Sequence, residues 1–323
     1  MNRQAYSPEM LSETGRTQDG VPLSINRRPD ERLDPWIGRS MVAYAYEPTR
    51  HPINGLLCND ASYLRTAVGV DWNVGTADGM VAVRDQTFLT GQHTKAMPLR
   101  YAGGVKVAGL MLRPGAMRAL FGIEDAVLVD RLRPIEEAGI SDSSVTGLYN
   151  LELEPEQWLA RLESWLADHI ERNDIKQPDQ LTRRVEEAAF ANPNVTTRDL
   201  ADANGVELRT LQRICKRDFG LSPKHIMRRA RVLDLAARLC GVADEEEADE
   251  FLARYFDQAH LIRDFSSFFG TSPKQFAQER QALLTLSLEI RQARRLELLD
   301  RIEPGAVRPW MRRPFRPISA QAS

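Results

Sequence analysis

The first half of the chain alternates short apolar runs with clusters of glycine, proline, asparagine and aspartate. MVAYAY (41–46), MVAVRDQTFL (80–89) and VKVAGLML (105–112) have the length and composition of strands. Turn residues separate such runs at the spacing of about 8–12 residues that is typical of an all-β sheet or barrel. The pattern predicts a β-rich domain over residues 33–150. Residues 1–32 are polar, and we expect them to be flexible.

Beyond residue 150 the apolar positions follow the period of helices, so we expect an α+β protein whose C-terminal part is all-α. A helix is predicted to begin at Pro155, since a first turn tolerates proline, and to carry one apolar stripe. The stripe consists of Trp158, Leu159, Leu162, Trp165, Leu166 and Ile170. We expect it to pack on the β-rich domain; the alternative partner is the same helix of a second subunit. A further helix is predicted at 179–191, so we interpret residues 151–192 as linker helices.

Two stretches that lie 50 residues apart have nearly the same sequence. They are LQRICKRDFGLSPKHI (211–226) and LIRDFSSFFGTSPKQF (261–276), which agree at seven positions without a gap. Each predicts a helix that ends at glycine, followed by a new helix that starts after Ser-Pro. A short helix and a tight turn are predicted before each copy. The pattern is that of two helix-turn-helix units in tandem, within residues 193–280.

The second helix of each unit has one face suited to DNA. In the first unit, Leu208, Leu211, Ile214 and Cys215 are expected to point inward. Arginine can bridge guanine O6 and N7, and glutamine can pair with adenine, so the opposite face suits base recognition. That face presents Arg209, Gln212, Arg213 and Lys216. Free N–H groups at helix starts attract phosphates. The predicted phosphate contacts are Lys216, Ser222, Lys224, Ser272 and Lys274.

Composition and charge agree with a globular protein that binds a polyanion. The chain is 42% hydrophobic and 27% charged, with a net charge of −2. This total hides an asymmetry, because residues from 181 onward carry +4 and the preceding residues −6. Three scattered cysteines without CxxC spacing are typical of a reducing compartment. With neither a signal peptide nor an apolar span in the sequence, we expect a cytoplasmic protein without membrane contact.

The repeated segments closely resemble the DNA-binding region of the AraC/XylS family of transcription regulators. The matching stretches are LQRICKRDFGLSPKHIMRRARVLDLA and YFDQAHLIRDFSSFFGTSPKQF, within about 195–280. The resemblance implies two subdomains joined by one long helix, Pro223–Cys240, which lets a monomer occupy two successive major-groove segments. The family's base-contact positions correspond to Arg209, Gln212, Arg213, Gln258, His260 and Arg263. Glu250 and Arg254 depart from the family pattern, which predicts a weaker DNA contact for the second unit.

The segment 97–138 is similar to the N-terminal domain of a subset of AraC-type regulators. It carries Arg-Pro-Gly at 113–115 and Asp-Arg-Leu-Arg-Pro at 130–134. The resemblance implies a β-rich sensing or dimerising domain, with a cupin-like barrel as one candidate. It also implies an activator that contacts double-stranded DNA and RNA polymerase, with a small-molecule effector and a homodimer as options. Candidate pocket residues are Trp36, Tyr44, Trp72, His93 and Arg113, although they also suit an ordinary core.

Other functions are disfavoured by the sequence. It has no nucleophile–base pair, no phosphate loop and no ligand-spaced His/Glu set, so we expect neither an enzyme, a cofactor nor a metal. The alternatives are a cupin-like enzyme, an alkyl-transfer protein that uses Cys58, and a module whose helix-turn-helix units bind protein. In the C-terminal segment 281–323, residues 283–302 predict a helix. Residues 305–317 mix arginine with Trp310 and Phe315, and they either contact DNA or form a disordered extension.

Overall fold

The computed structural model describes residues 24–46, 52–243, 258–278 and 282–303. In the N-terminal part these residues form antiparallel strands that make two sheets. The strands are β1 (Ser24–Arg27), β2 (Ile37–Tyr46), β3 (Ile53–Leu57), β4 (Ser62–Ala67), β5 (Val70–Thr76), β6 (Gly79–Val83), β7 (Gln86–Thr90), β8 (Met97–Leu112) and β9 (Leu132–Pro134). The predicted β-rich domain is thereby confirmed.

The long strand β8 belongs to both sheets. Its first half pairs with β3 and β5, so that Tyr101 lies opposite both Ile53 and Trp72. Its second half pairs with β2 and β4, in a sheet of order β1-β2-β8-β4-β7-β9. Odd-numbered residues such as Val107 join one apolar cluster, and even-numbered residues such as Leu110 join a second cluster on the other face. Burial of both faces explains why this segment reads as an almost continuous apolar run.

Strand β1 corrects the expectation of flexibility for residues 24–32, while residues 1–23 lie outside the described part of the chain. Ser24–Arg27 pairs with β2, and a short 3-10 helix follows at Glu31–Leu33. The polar side chains of this strand pair with acidic residues that lie far away in the sequence. Asn26 Nδ2 donates to Glu289 at 2.9 Å, and Arg27 donates to Glu163 at 2.9 and 3.0 Å. The β domain therefore begins within the segment that we expected to precede it.

Helices cover one face of the larger sheet. They are α1 (Ala116–Phe121), α2 (Asp125–Leu128), α3 (Ser143–Thr146) and α4 (Pro155–Arg172), with a second 3-10 helix at Ile135–Ala138. A capping box between Glu154 and Gln157 begins α4. Its stripe buries Trp158, Leu159, Leu162 and Leu166 in the same cluster as Leu110. The expected packing of this helix on its own β domain is confirmed.

The C-terminal part is helical. Its described helices are α5 (Gln180–Ala191), α6 (Thr197–Ala203), α7 (Leu208–Phe219), α8 (Pro223–Leu239), α9 (Gln258–Phe269), α10 (Pro273–Gln278) and α11 (Ala282–Leu298). The first half of α8 packs with α5, α6 and α7, and its second half packs with α9, α10 and α11. One helix therefore joins two small cores, as the resemblance implied. The overall architecture, a β domain followed by a helical region, agrees with the predicted α+β class.

Candidate nucleic-acid interface

The first helix-turn-helix unit is built from α6 and α7. The Thr196 hydroxyl caps α6 by accepting the N–H of Asp199 at 3.1 Å. The turn contains Gly205, whose φ of +64° lies in the left-handed region that glycine favours. Helix α7 then buries Leu211, Ile214 and Cys215 against the core.

The opposite face of α7 is free of the core. Arg209, Gln212, Arg213 and Lys216 are all exposed, as predicted for residues that approach a base edge or a phosphate. Leu208 differs from our expectation, since it is 38% exposed rather than inward. It occupies the first turn of α7, where the helix has not yet reached the core. Lys216 Nζ donates to the Gly220 carbonyl at 3.0 Å, which holds this side chain along the end of the helix.

The second unit presents α9 in the same way. Leu261, Phe265, Phe268 and Phe269 are buried, and Ala259, His260, Ile262 and Arg263 are exposed. His260 Nδ1 accepts from the Arg263 guanidinium at 3.1 Å, so the predicted base-contact pair lies side by side. Several predicted features of this unit lie outside the described residues. They are its first helix, the side chain of Gln258, and the residues Glu250 and Arg254.

The two Ser-Pro motifs begin helices α8 and α10. Ser222 Oγ accepts the N–H of His225 at 3.3 Å, and Ser272 Oγ accepts the N–H of Gln275 at 3.3 Å. Both hydroxyl groups therefore act as helix caps in this structure. Lys224 and Lys274 follow the prolines and are exposed. Four of the predicted phosphate contacts, namely Ser222, Lys224, Ser272 and Lys274, thus lie at helix starts, whereas Lys216 lies in the last turn of α7.

Known proteins support the assignment of this region. Residues 200–279 match a family described as a helix-turn-helix domain. This is an AraC-type DNA-binding domain. The match identifies residues 200–279 as a DNA-binding region of the kind found in transcription regulators, in agreement with the resemblance seen in the sequence. The chain matches none of the curated proteins.

Similar solved structures are distant. A structure of ToxT from Vibrio cholerae is 6% identical, with a TM-score of 0.44, and the match covers 73% of this chain and 98% of that chain. ToxT with a bound unsaturated fatty acid is 10% identical, with a TM-score of 0.41 over 72% of this chain and 96% of that chain. The AraC-like transcriptional activator CuxR is 13% identical, with a TM-score of 0.28 over 65% and 86%. Similarity at this level assigns neither a ligand nor a partner to this chain.

The β domain contacts both units of the AraC-type domain at the same repeat position. The Gly115 N–H donates to the Asp218 carbonyl at 3.1 Å, near the end of α7. The Ala96 N–H donates to the Phe268 carbonyl at 2.8 Å, near the end of α9. Asp218 and Phe268 are 50 residues apart and each lies two residues before the terminal glycine. The β domain therefore fixes the C-terminal ends of both candidate recognition helices.

Buried carboxyl groups lie at the contact between α7 and the β domain. Asp218 is fully buried, and the Arg217 guanidinium donates to both of its oxygens, at 2.6 and 2.5 Å. Asp125 of α2 is also buried and accepts from the Ser62 hydroxyl. Burial raises the pKa of Asp125 to about 8, with a further upward contribution from the charge of Asp218 and opposite contributions from Ser62 and Arg118.

Helix α11 follows the AraC-type domain and connects three parts of the molecule through buried charges. Arg291 pairs with Asp60 of the β domain at 3.0 Å and with Asp234 of α8 at 2.6 Å. Arg294 pairs with Glu186 of α5 at 2.5 Å. The helix predicted from residues 283–302 is thus observed, and its buried arginines link the β domain, α5 and α8. The basic segment 305–317 lies outside the described residues.

A cavity of about 50 Å³ lies inside the β domain, under α11. Its apolar wall includes Trp72, Phe88 and Val107, and Leu286 and Ile290 of α11 close one side. Its polar side is formed by Asn59, Arg65, Thr90 and His93. Burial, with the nearby charge of Arg65, lowers the pKa of His93 to about 3, so the imidazole is neutral.

Two of the five predicted pocket residues, Trp72 and His93, line the cavity. Trp36 instead packs in the cluster under α4, where its Nε1 donates to the Lys176 carbonyl at 3.2 Å. Arg113 pairs with Asp34 at 2.8 Å, and the side chain of Tyr44 is outside the described part of the chain. The sequence reasoning missed Asn59, which precedes β4, and Arg65 of β4, because nothing in the pattern of residues there indicates that these two side chains face a cavity.

The described residues also bear on the alternative functions named from the sequence. Cys58 is buried, and burial raises the pKa of its thiol far above the usual range, which makes it a poor nucleophile. Among the residues described, no three His, Cys, Asp or Glu side chains converge on a possible metal site. Within the same ranges, no helix is both long and apolar enough to cross a membrane.

Proposed function

We propose that this protein regulates transcription by placing α7 and α9 in successive major-groove segments of double-stranded DNA. The observation that carries the proposal is the paired arrangement of the two units: each buries its apolar face and exposes the face that holds Arg213 or Arg263. Arginine recognises guanine through two parallel hydrogen bonds. Lys224 and Lys274, at the adjacent helix starts, would contact the phosphates that flank each segment.

We test this with two variants of the full-length protein. Bound fragments are first selected from genomic DNA and sequenced, and we expect a motif of two blocks about one helical turn apart. Arg213→Ala should then weaken the free energy of DNA binding by about 1–3 kcal/mol and relax the base preference at one position of the site. Lys224→Ala should weaken binding to all DNA sequences alike. It should also reduce the slope of log affinity against log salt concentration by about one. A protein-binding module would show neither effect, and its DNA affinity would not depend on Arg213.

The β domain is proposed to control the DNA-binding half. The contacts of Gly115 with α7 and of Ala96 with α9 support this, because a movement of the β domain would move both recognition helices. The cavity suits an effector with an apolar body and a group that accepts hydrogen bonds from Arg65 or Asn59. A cavity of about 50 Å³ has room for only a few waters, so a larger effector would displace part of its lining, such as Leu286 and Ile290 of α11.

Activation through RNA polymerase and the formation of a homodimer are further parts of the proposal, and the sequence resemblance supports them. Transcription in vitro from a promoter that carries the selected motif, with purified polymerase, tests the direction of regulation. Sedimentation of the free and DNA-bound protein tests the oligomeric state. A repressor would lower the transcript yield, and a monomer on a two-block site would remove the dimer from the proposal.

A further inference from the structure

Alignment of the two units shows that their exposed faces carry different chemistry. On α7 the face consists of residues spaced as neighbours on one side of a helix, namely Arg209, Gln212, Arg213 and Lys216. The residues 50 positions later on α9 are Ala259, Ile262, Arg263 and Ser266. Three cations and an amide in the first unit thus correspond to one cation, one hydroxyl and two apolar side chains in the second.

Ile262 is the unusual member of this face. It is 48% exposed, although isoleucine is normally buried, and it occupies the repeat position that Gln212 occupies in the first unit. Ala259, one turn before it, is exposed as well. Arg263 follows directly, and its guanidinium is held by His260 at 3.1 Å. An apolar strip therefore lies beside an oriented arginine within the first two turns of α9.

In the major groove only one base presents an apolar group. Thymine carries a 5-methyl group, which alanine and larger apolar side chains contact, whereas the other groups at the base edges require hydrogen-bond partners. A side chain without donors or acceptors leaves those polar groups without their water partners. The N-terminal half of a recognition helix is the part that meets base edges. Ile262 thus favours thymine over any other base.

We propose that the two units use different recognition chemistry: α7 reads purine edges through hydrogen bonds, and α9 reads thymine methyl groups through Ile262 and Ala259, next to a guanine bound by Arg263. This inference rests on the proposed function and goes beyond it by naming the specificity residue of the second unit. It predicts a DNA site whose second block is a guanine beside one or two thymines. His260 then acts as a positioning residue for Arg263.

The test replaces thymine by deoxyuridine, which removes only the 5-methyl group, at each position of the selected site. The block that α9 occupies is identified first as the block whose base preference Arg263→Ala relaxes. In that block the full-length wild type should lose affinity about fourfold per contacted methyl group. Ile262→Ala, which shortens the side chain, should lose this difference at the thymine that Ile262 contacts and keep it at a thymine that Ala259 contacts. Met80→Ala, which removes an exposed apolar side chain of the β domain, serves as the control and should keep the fourfold difference.

A reciprocal exchange gives a second readout that does not depend on lost affinity. Ile262→Gln should shift the preferred base in the second block from thymine toward adenine, and Gln212→Ile should produce the opposite shift in the first block. Both positions are on the surface, so thermal unfolding should be unchanged. Insensitivity of the second block to uracil at every position, or the same uracil sensitivity at every position in Ile262→Ala as in the wild type, overturns the inference. If the wild type selects no motif at all, the proposed function fails instead.

Discussion

Gly220 offers a direct test of the contact between α7 and the β domain, because the repeat supplies its own control. Gly220 and Gly270 end the two recognition helices with nearly the same backbone, at φ of +69° and +73°. A Cβ added at Gly270 would meet nothing within 4 Å. A Cβ at Gly220 would lie 2.5 Å from Val129 Cγ2 and 2.8 Å from the Asp125 carbonyl oxygen, both of the β domain.

The difference between Gly220→Ala and Gly270→Ala measures this close approach. Both variants place an alanine in the left-handed region, at a cost of about 1–2 kcal/mol. Only Gly220→Ala must also push apart two packed surfaces, one of which is backbone, and overpacking of this kind costs about 1–3 kcal/mol more. We therefore expect losses of stability of about 2–5 kcal/mol for Gly220→Ala and about 1–2 kcal/mol for Gly270→Ala.

Urea unfolding of the full-length variants, followed by tryptophan fluorescence, provides the comparison. Trp36, Trp72 and Trp158 are buried in the β domain, so the signal reports on the part that the new methyl group would displace. The midpoint should fall further for Gly220→Ala than for Gly270→Ala. Equal losses would refute the reasoning, since they would mean that the β domain does not rest on the end of α7.

Two further predictions concern buried charge. Asp125→Asn should be more stable than the wild type at pH 8.5, and the difference should shrink toward pH 4. The folded-state pKa of about 8 lies above the usual 3.8, so the folded wild type binds the extra proton and loses stability as the pH rises through this window. Arg291→Met should lower the free energy of unfolding by about 3–5 kcal/mol, because it removes the cation that pairs with the carboxylates of Asp60 and Asp234. The exposed control Arg183→Met, next to Glu187, should cost at most about 1 kcal/mol in the same urea titration.

The domain plan was accessible from the sequence because each part has its own apolar period. Strand-length runs indicated the β domain, the stripe of α4 indicated a docked helix, and the duplicated segment indicated two equivalent units. The outward face of α7 also followed from spacing alone, since Leu211, Ile214 and Cys215 can reach only one core. These elements depend on local pattern, which the chain displays directly.

The features that sequence reasoning missed depend on partners far along the chain. Polar strand β1 was assigned to a flexible segment because the buried Glu289 that receives Asn26 lies 263 residues away. The helical period predicts α11, but it does not indicate that Arg291 pairs with Asp60 and Asp234, which lie far away in the sequence. The repeat alignment places an apolar residue at position 262, but only the fold shows that its side chain is exposed.

The repeat separates what the two units share from what distinguishes them. At positions 218 and 268 the side chains differ, aspartate against phenylalanine, yet both carbonyl groups receive an N–H of the β domain. At positions 212 and 262 the backbone setting is the same and the side chains are exposed, so their chemistry is free to differ. Backbone contacts can thus position both helices whatever their sequences, while recognition depends on the exposed side chains. A protein built in this way can change the side chains that face DNA without altering the backbone contacts between its β domain and the two helices.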